Sequence, residues 1–455
     1  MTSPVVVLGF GVSGEAAVRH LLAEGQEVLV LDDEPSPRRR QAAARLGVEL
    51  HETPSGSALG TLLGGVEEVV VSPGVPVSHP VFHLDLGSRL VGEAELAWRR
   101  AEVPIVAITG TNGKTTVTTL VASMLQASGI QAVAAGNIGV PLLDAVSGNA
   151  TVVVAEVSSF QLALSYSLRP VVGTWLNFAE DHLDWHPDIE HYLAAKARIW
   201  LNAGAGDLIV ANIEDPVVMR EAASASKDRR GQGAPQVVTF GIGEGDFHRG
   251  GDFLVGPEGE QIVAVEDMAR SLPHDIANDL AATATALGVG ANLAGCRQVL
   301  EGFTGLPHRV ELVGENDGVR YYDDSKATTP GAVLAAMEGF DSAVLIAGGR
   351  NKGMSLRELR GVSAKLRGVV AIGEAAREVE DAFRGASEVV VATSMHEAVE
   401  RAVEIARSGD AVVLSPGCAS FDWYGSYAER GEDFVRCVRE LALRTGSLDP
   451  GGGAR

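Results

Sequence analysis

The sequence predicts an α/β protein of three domains, each built around a largely parallel sheet. Short runs of Val, Ile, Leu and Ala are followed by a glycine-rich turn and then by a helical stretch, which is the pattern of parallel strands joined by crossover helices. This pattern recurs in separate blocks, and 455 residues are too many for one ordinary domain. We expect domains at residues 1–98, 99–304 and 305–445, followed by a disordered tail at 446–455.

In the first block, strands are predicted at residues 5–9, 27–32 and 67–74. The first strand leads into Gly9-Phe10-Gly11-Val12-Ser13-Gly14, a complete G-x-G-x-x-G turn, and Asp32 ends the second strand. Such a turn brings backbone N–H groups and a helix N-terminus to a diphosphate. The residues alone leave three interpretations open: an NAD or FAD site, a site for another nucleotide diphosphate, or a tight turn without a ligand.

The second block contains a P-loop. Its strands are predicted at residues 103–110, 151–159, 171–177 and 206–212, with polar loops or hairpins inserted at 224–259 and a helix at 274–291. Thr109-Gly110-Thr111-Asn112-Gly113-Lys114-Thr115-Thr116 stands between the first strand and a helix. Lys114 can reach the β- and γ-phosphates and the Thr115 hydroxyl can ligate Mg²⁺. The alternative is a surface turn with one solvated lysine, but the flanking strand and helix favour binding of ATP-Mg.

Three further side chains follow strands or lie on a helix of this block. Glu156 ends a strand, where it could hold Mg²⁺ or serve as a helix cap or ion-pair partner. His182 lies in a loop after a strand and could bind metal or orient an amine. Lys196 shares a predicted helix face with Tyr192, yet a solvated helix lysine is the simpler interpretation from the residues alone. The Trp185-His186 pair receives no role.

The third block has predicted strands at residues 319–325, 342–349, 368–373, 388–393 and 410–417.

The composition of the whole chain limits the classes of binding partner that we expect. A net charge of −22 and only 5% aromatic residues argue against nucleic acid. Three cysteines and the lack of a long apolar segment argue for the cytoplasm and against membrane insertion. We also expect a monomer.

The order of several motifs resembles the Mur ligases, the ATP-dependent amide-forming enzymes of peptidoglycan synthesis. The motifs are TGTNGKTT (109–116), EVSSFQL (156–162), NFAEDHLDWH (177–186), YLAAKARI (192–199), LPHRVE (306–311), DDSKATTP (323–330), GGRNKG (348–353) and LSPGCASFDWYGSYAERGEDF (414–434). The last of these and the N-terminal Rossmann-like block are typical of the D-glutamate-adding branch. The resemblance covers nearly the whole chain.

The resemblance implies a Rossmann-like first domain, a central P-loop ATPase domain and a Rossmann-like third domain. It implies that ATP phosphorylates the terminal carboxylate of UDP-N-acetylmuramoyl-L-alanine and that the amine of D-glutamate then attacks the acyl phosphate. Two Mg²⁺ ions would take part, and Lys196 would be carbamylated by CO2 to become an anionic metal ligand. The first glycine turn would then bind the UDP group of the substrate rather than NAD.

The resemblance also implies roles for individual residues, position by position. The catalytic residues would be Lys114, His182 and Lys196. The ATP-binding residues would be Gly110, Thr111, Asn112, Gly113, Lys114, Thr115, Thr116, Asn278, Arg309 and Asp324. The metal ligands would be Thr115, Glu156, His182 and Lys196. The UDP-substrate would contact Gly11, Val12, Ser13, Gly14, Asp32, Ser72 and Asn137. D-glutamate would contact Lys326, Thr328, Lys352, Ser420, Phe421 and Tyr427.

Two other classes of protein remain as alternatives on the residues alone. An NAD-linked oxidoreductase would explain Gly9–Gly14 but leave Lys114 without a function. A P-loop NTPase acting as a switch or binding module would hydrolyse ATP without requiring an amino acid.

Overall fold

The structure is a computed structural model that describes residues 4–182, 185–227 and 233–445. These residues form four sheets and divide into two compact units. One unit takes in the described part of residues 1–269 together with 276–303, and the other takes in 270–275 and the described residues from 304 onward. The predicted tail at 446–455 lies outside the described residues.

The first sheet is wholly parallel, with strand order β3-β2-β1-β4-β5. Its strands are β1 (Val5–Leu8), β2 (Val28–Asp32), β3 (Leu50–Glu52), β4 (Glu68–Val71) and β5 (Leu90–Gly92). Helices α1 (Val12–Ala23), α2 (Pro37–Arg45), α3 (Ser57–Gly64) and α4 (Glu93–Arg100), with 3₁₀ helices at Pro80–His83 and Gly87–Arg89, complete this part. The strand order reverses between β1 and β4, so a ligand crevice is expected outside their carboxyl ends.

The second sheet is also parallel, with order β11-β10-β9-β6-β8-β7. Its strands are β6 (Ile105–Thr109), β7 (Ala132–Gly136), β8 (Val152–Glu156), β9 (Val172–Trp175), β10 (Leu208–Asn212) and β11 (Gln236–Phe240). The helices are α5 (Lys114–Ala127), α6 (Leu142–Val146), α7 (Ser159–Ala163), α8 (Ile189–Ala197) and α9 (Pro216–Ala225), with a 3₁₀ helix at Arg198–Trp200. Because β6 lies between β8 and β9, the loops after these three strands meet at one edge.

A small antiparallel sheet follows, as the predicted polar insertion suggested. It contains β12 (His248–Gly250), β13 (Phe253–Val255) and β14 (Gln261–Ala264), and a 3₁₀ helix at Val265–Asp267 comes next. Helices α10 (Pro273–Val289) and α11 (Leu293–Gly302) end this region. Buried residues of α10, such as Leu280, join the core formed by β6 and α5.

The last sheet has order β15-β16-β20-β17-β18-β19 and is parallel except for β15. Its strands are β15 (Glu311–Asn316), β16 (Val319–Asp323), β17 (Ala343–Gly348), β18 (Leu366–Ile372), β19 (Val389–Val391) and β20 (Ala411–Leu414). Its helices are α12 (Pro330–Met337), α13 (Ala376–Phe383), α14 (Met395–Ile405) and α15 (Tyr427–Thr445), with a 3₁₀ helix at Leu356–Lys365. Apolar cores cover both faces of this sheet.

The predicted α/β fold class is confirmed, and each predicted strand segment contains a strand. The three α/β sheets fall within residues 1–98, 99–304 and 305–445, although those boundaries themselves stay predictions. Strands β3, β5, β7, β14 and β15 were not predicted, because they are short, rich in Ala or polar, and β11 lies within the segment 224–259 that was predicted only as loops or hairpins. No described helix has both the length and the apolar character that crossing a membrane requires.

Candidate functional site

A cavity of about 470 Å³ lies at the expected crevice of the first sheet. Gly9, Gly11, Asp32 and Ser72 are among the residues that line it. Helix α1 begins beside it at Val12, and its N-cap Gly11 makes no side-chain capping hydrogen bond. The N-terminal N–H groups of the helix therefore remain suited to a diphosphate.

Close packing explains the glycine at position 14. A Cβ atom added to Gly14 would lie 2.0 Å from the Gly9 carbonyl oxygen and 2.8 Å from Ser72 Oγ. Ser72 Oγ itself donates to that carbonyl at 2.6 Å. Strand, turn and helix are thus held together at a distance that only glycine permits.

Asp32 lines the cavity, but its carboxylate already has protein partners. It accepts hydrogen bonds from the Phe10 N–H at 2.7 Å, the Glu34 N–H at 3.0 Å and the Arg39 guanidinium at 2.7 Å. Asp32 therefore ties the glycine turn to the second strand. Asn137, which was predicted with this group, does not line the cavity within the described residues and lies beside the P-loop sheet instead.

The P-loop connects β6 to α5, as predicted. Gly113 has φ +83, a conformation that favours glycine, and a Cβ there would lie 2.4 Å from Asn278 Oδ1. Asn278, which was predicted to contact ATP, thus lies against the P-loop. Lys114 Nζ donates to the carbonyls of Gly110 and Thr111, both at 2.9 Å.

Sequence reasoning missed Asn177 as a residue that shapes the P-loop. Its Oδ1 accepts hydrogen bonds from the N–H groups of Thr111 at 3.0 Å and Asn112 at 2.8 Å. Its own Nδ2 donates to the Asn112 carbonyl at 3.2 Å. The available signal was its position directly after the strand that neighbours β6.

Glu156 is the last residue of β8 and is 2% exposed. Asn137 Nδ2 donates to Glu156 Oε1 at 2.8 Å, whereas the buried Oε2 has no hydrogen-bond partner. An unpaired buried carboxylate oxygen is costly unless a cation or a donor completes it. Glu156 therefore has an open coordinating atom at the edge of the sheet that carries the P-loop.

The expectation that Lys196 is a solvated helix lysine is wrong. Its side chain is 1% exposed, and Nζ donates to the Gly110 carbonyl at 2.7 Å, the same oxygen that Lys114 contacts. Burial, followed by the charge of Lys114, holds the pKa of Lys196 well below its ordinary value. The packing of α8 against the P-loop brings together two lysines that are distant in sequence.

His182 has φ +56, which is uncommon outside glycine. Its imidazole packs edge-on against Phe160 with ring centroids 4.9 Å apart, and its Nε2 lies 3.5 Å from Asp181 Oδ2. Nearby His186 is buried, and burial, followed by the charges of His191 and His182, lowers the pKa of His186 to about 3. The His186 ring is therefore neutral.

In the second unit, Arg309 lies between His308 and Val310, which both have positive φ. Asp324 is buried and accepts hydrogen bonds from Ser415 Oγ at 2.7 Å and the Val310 N–H at 3.3 Å. Burial raises the pKa of Asp324 to about 7. The turn around Arg309 is thus attached to the carboxyl end of β16.

Lys326 and Tyr427, both predicted to contact D-glutamate, contact each other. Lys326 Nζ donates to the Tyr427 hydroxyl at 3.2 Å and lies 4.9 Å from the ring centroid. Ser420 is buried, whereas Phe421 is 58% exposed. Thr328 is partly buried and Lys352 is exposed.

Sequence reasoning also missed Arg430, which is 1% exposed. Its guanidinium donates to Ser325 Oγ at 2.9 Å, the Ser325 carbonyl at 2.7 Å and the Cys418 carbonyl at 3.1 Å. Arg430 thereby joins the segments that precede Lys326 and Ser420. Its place in the AERG stretch was visible in the sequence, but its burial was not.

Comparison with known proteins identifies the class of protein that these sites define. Three family models match: the Mur ligase MurD-like N-terminal domain at residues 3–88, the Mur ligase middle domain at 108–286 and the Mur ligase glutamate ligase domain at 308–418. The chain belongs to the Mur ligase family of ATP-dependent ligases. Membership favours a ligase over the oxidoreductase and the NTPase switch.

Individual relatives point to one branch of the family. The chain is 42% identical to UDP-N-acetylmuramoylalanine–D-glutamate ligase of Desulfosudis oleivorans, covering 96% of each chain. It is 40% identical to the enzyme of the same name from Desulfatibacillum aliphaticivorans, over 96% of this chain and 98% of the relative. The crystal structure of a UDP-N-acetylmuramate-alanine ligase from Thermotoga maritima shares the fold, with TM-score 0.58, 18% identity and coverage of 96% and 100%.

Proposed function

We propose that this chain joins D-glutamate to UDP-N-acetylmuramoyl-L-alanine in peptidoglycan precursor synthesis, with cleavage of ATP to ADP and phosphate. The observation that carries this proposal is the meeting of the P-loop, Glu156 and the buried Lys196 at the carboxyl edge of one parallel sheet. Relatives that are about 40% identical over nearly the full length have this activity in their names.

The reaction needs activation because a carboxylate is a poor electrophile. The L-alanine carboxylate attacks the γ-phosphorus of ATP, so that an acyl phosphate forms and ADP leaves. The free amine of D-glutamate then attacks the acyl carbon, and the tetrahedral intermediate collapses to an amide with loss of phosphate. We expect Lys114 to exchange the carbonyls of Gly110 and Thr111 for phosphate oxygens and to neutralise charge on the transferring group.

The residues present fit the implied Mg²⁺ ions. Glu156 Oε2 is buried and has no partner, and the Thr115 hydroxyl stands in the first turn of α5. These two residues would hold one ion, and His182 with a carbamylated Lys196 would hold a second. Bound Mg²⁺ would supply charge neutralisation at the phosphoryl group and the acyl phosphate oxygens.

Carbamylation of Lys196 follows from its surroundings. Burial lowers the pKa of Lys196 and so favours the neutral amine, which is a nucleophile toward CO2; the product is a carbamate plus one proton. The change places an anion beside the Lys114 cation, which is a favourable electrostatic pairing. Burial of Nζ against Gly110 supports this assignment.

The remaining site residues belong to the same proposal. The cavity at Gly9–Gly14, with Asp32 and Ser72, would hold the UDP group, and Asn137 would contact the sugar substrate from beside Glu156. Asn278, Arg309 and Asp324 would contact ATP. Lys326, Thr328, Lys352, Ser420, Phe421 and Tyr427 would receive D-glutamate. We propose that the chain works as a cytoplasmic monomer, as expected from its sequence.

Phosphate release from ATP tests the function directly. With UDP-N-acetylmuramoyl-L-alanine present, we expect release with D-glutamate and little with L-glutamate, meso-diaminopimelate or no amino acid. Dependence on another amino acid would overturn the assigned acceptor. Release that needs neither substrate would overturn the ligase mechanism for this chain.

A rescue experiment tests the carbamate. Lys196→Ala should lose activity, and acetate or another short carboxylate should restore part of it by filling the anionic position. Lys114→Ala is the matched control, because a missing cation should not be replaced by acetate. Full activity of Lys196→Ala without rescue would disprove the role of the carbamate.

A further inference from the structure

The Trp185-His186 pair lies where three segments of the proposed metal site meet. The first segment is the start of α7, where Ser159 stands three residues after Glu156. The second is His182, whose carbonyl oxygen accepts hydrogen bonds from the N–H groups of the pair. The third is α8, which carries His191 and, five residues later, Lys196. Each segment therefore contributes one proposed metal ligand.

His186 makes a hydrogen bond to each of these segments. Its Nε2 lies 2.9 Å from Ser159 Oγ, and its Nδ1 lies 2.8 Å from His191 Nδ1. Its backbone N–H donates to the His182 carbonyl at 2.8 Å. The side chain is almost fully buried, so water does not compete strongly for these bonds.

His182 depends on this arrangement for its conformation. A non-glycine residue at φ +56 is strained and persists only when its surroundings hold it. The N–H groups of Trp185, at 3.0 Å, and His186 both donate to the His182 carbonyl. Phe160, which packs on the His182 ring, also stacks on His186 with centroids 5.7 Å apart.

We infer that His186 is a positioning residue that holds His182 in place relative to Glu156 and Lys196, and so prepares the metal site without being a ligand. The inference rests on the proposed function only because that proposal names Glu156, His182 and Lys196 as metal ligands. Residues behind metal ligands commonly change metal affinity by about 10- to 100-fold when they are replaced. A histidine that merely filled space in the core would not have this effect.

Three substitutions distinguish the contributions of the two side-chain hydrogen bonds of His186, one to Ser159 and one to His191. His186→Gln places an amide near the position of Nε2 and keeps the bond to Ser159. His186→Asn places an amide near the position of Nδ1 and keeps the bond to His191. His186→Phe keeps an aromatic ring and loses both. Trp185→Phe is the control, since it preserves the backbone N–H and an aromatic ring that can still pack on Phe160 and His186, while it loses the long hydrogen bond from the indole N–H to the Val75 carbonyl, at 3.4 Å.

We would measure the Mn²⁺ Kd by electron paramagnetic resonance. The sample is the full chain with UDP-N-acetylmuramoyl-L-alanine and a non-hydrolysable ATP analogue. We expect His186→Phe to raise the Mn²⁺ Kd by about 10- to 100-fold, with smaller increases for the Gln and Asn variants. Trp185→Phe should stay within about twofold of the wild type, and the KM for the UDP-substrate should stay unchanged in all four.

An unchanged Mn²⁺ Kd in His186→Phe would overturn the inference, as would an equal loss in Trp185→Phe. If His186→Phe does not fold, unchanged Kd values in both the Gln and Asn variants would overturn it. A failure of the proposed function would be seen in a different measurement, because the wild type would then release no phosphate in response to D-glutamate. Mn²⁺ binding requires no turnover and reports on the metal site separately.

Discussion

Replacing Gly14 by alanine should destabilise the first unit of the chain by an amount that follows from the packing of its glycine turn. The new Cβ would lie 2.0 Å from the Gly9 carbonyl oxygen, and Cβ atoms are essentially never found closer than about 3.0 Å to a non-bonded heavy atom. Helix α1 and the turn must therefore separate by about 1 Å. Overpacking of this kind costs about 1–3 kcal/mol or somewhat more, because the neighbouring atoms are backbone. For a unit of this size the melting temperature should fall by about 2–5 °C.

Gly11→Ala is the matched control, since it alters the same motif without a clash. Gly11 has φ −90 and ψ −163, which any residue adopts, and no heavy atom lies within 4 Å of its added Cβ. Thermal unfolding followed by circular dichroism should place Gly11→Ala within about 1 °C of the wild type. Equal melting temperatures for the two variants would refute the argument that the Gly9–Gly14 approach requires glycine.

Three further predictions concern the same unit. Burial raises the pKa of Glu93 from 4.5 to about 7, so ionisation of Glu93 destabilises the folded state by about 3 kcal/mol. This destabilisation develops as the pH rises from about 4.5, the ordinary pKa, through about 7, the pKa in the folded state. Glu93→Gln keeps an acceptor for the Leu143 N–H and should raise the urea unfolding midpoint at pH 8 but not at pH 4. A higher midpoint at both pH values would show that the charge of Glu93 is not the cause of the destabilisation. Asn177→Ala should raise the KM for ATP by roughly tenfold, because the Asn112 N–H loses its acceptor and the Thr111 N–H keeps only the Asn177 backbone carbonyl, at 3.1 Å; the KM for D-glutamate is the internal control. Gly113→Ala should weaken ATP binding, because φ +83 strains alanine and its Cβ, 2.4 Å from Asn278 Oδ1, would displace the Asn278 side chain. Gly129→Ala, at the same φ of +83 with open space around it, should weaken stability by about 1 kcal/mol and leave nucleotide affinity intact in calorimetry.

The sequence alone was sufficient for the α/β class, for the strands with continuous apolar runs and for the P-loop. Each of these depends on residues that are close in the chain, such as Val5–Leu8 leading into Gly9. The carboxyl-end position of Glu156 could also be predicted, because parallel strands place their last residues at one edge. The resemblance to the Mur ligases rested on motifs of this local kind.

Tertiary structure alone decided which of these residues contact each other. Lys196 resembles a solvated lysine in sequence, yet packing of α8 buries its Nζ against a carbonyl 86 residues away. Asn177 serves the P-loop across 65 residues, and Asn137 contacts Glu156 rather than the cavity of the first sheet. The physical reason is that burial and hydrogen-bond partners depend on how distant segments pack, whereas the periodicity of a sequence reports only the local backbone and the side that faces the core.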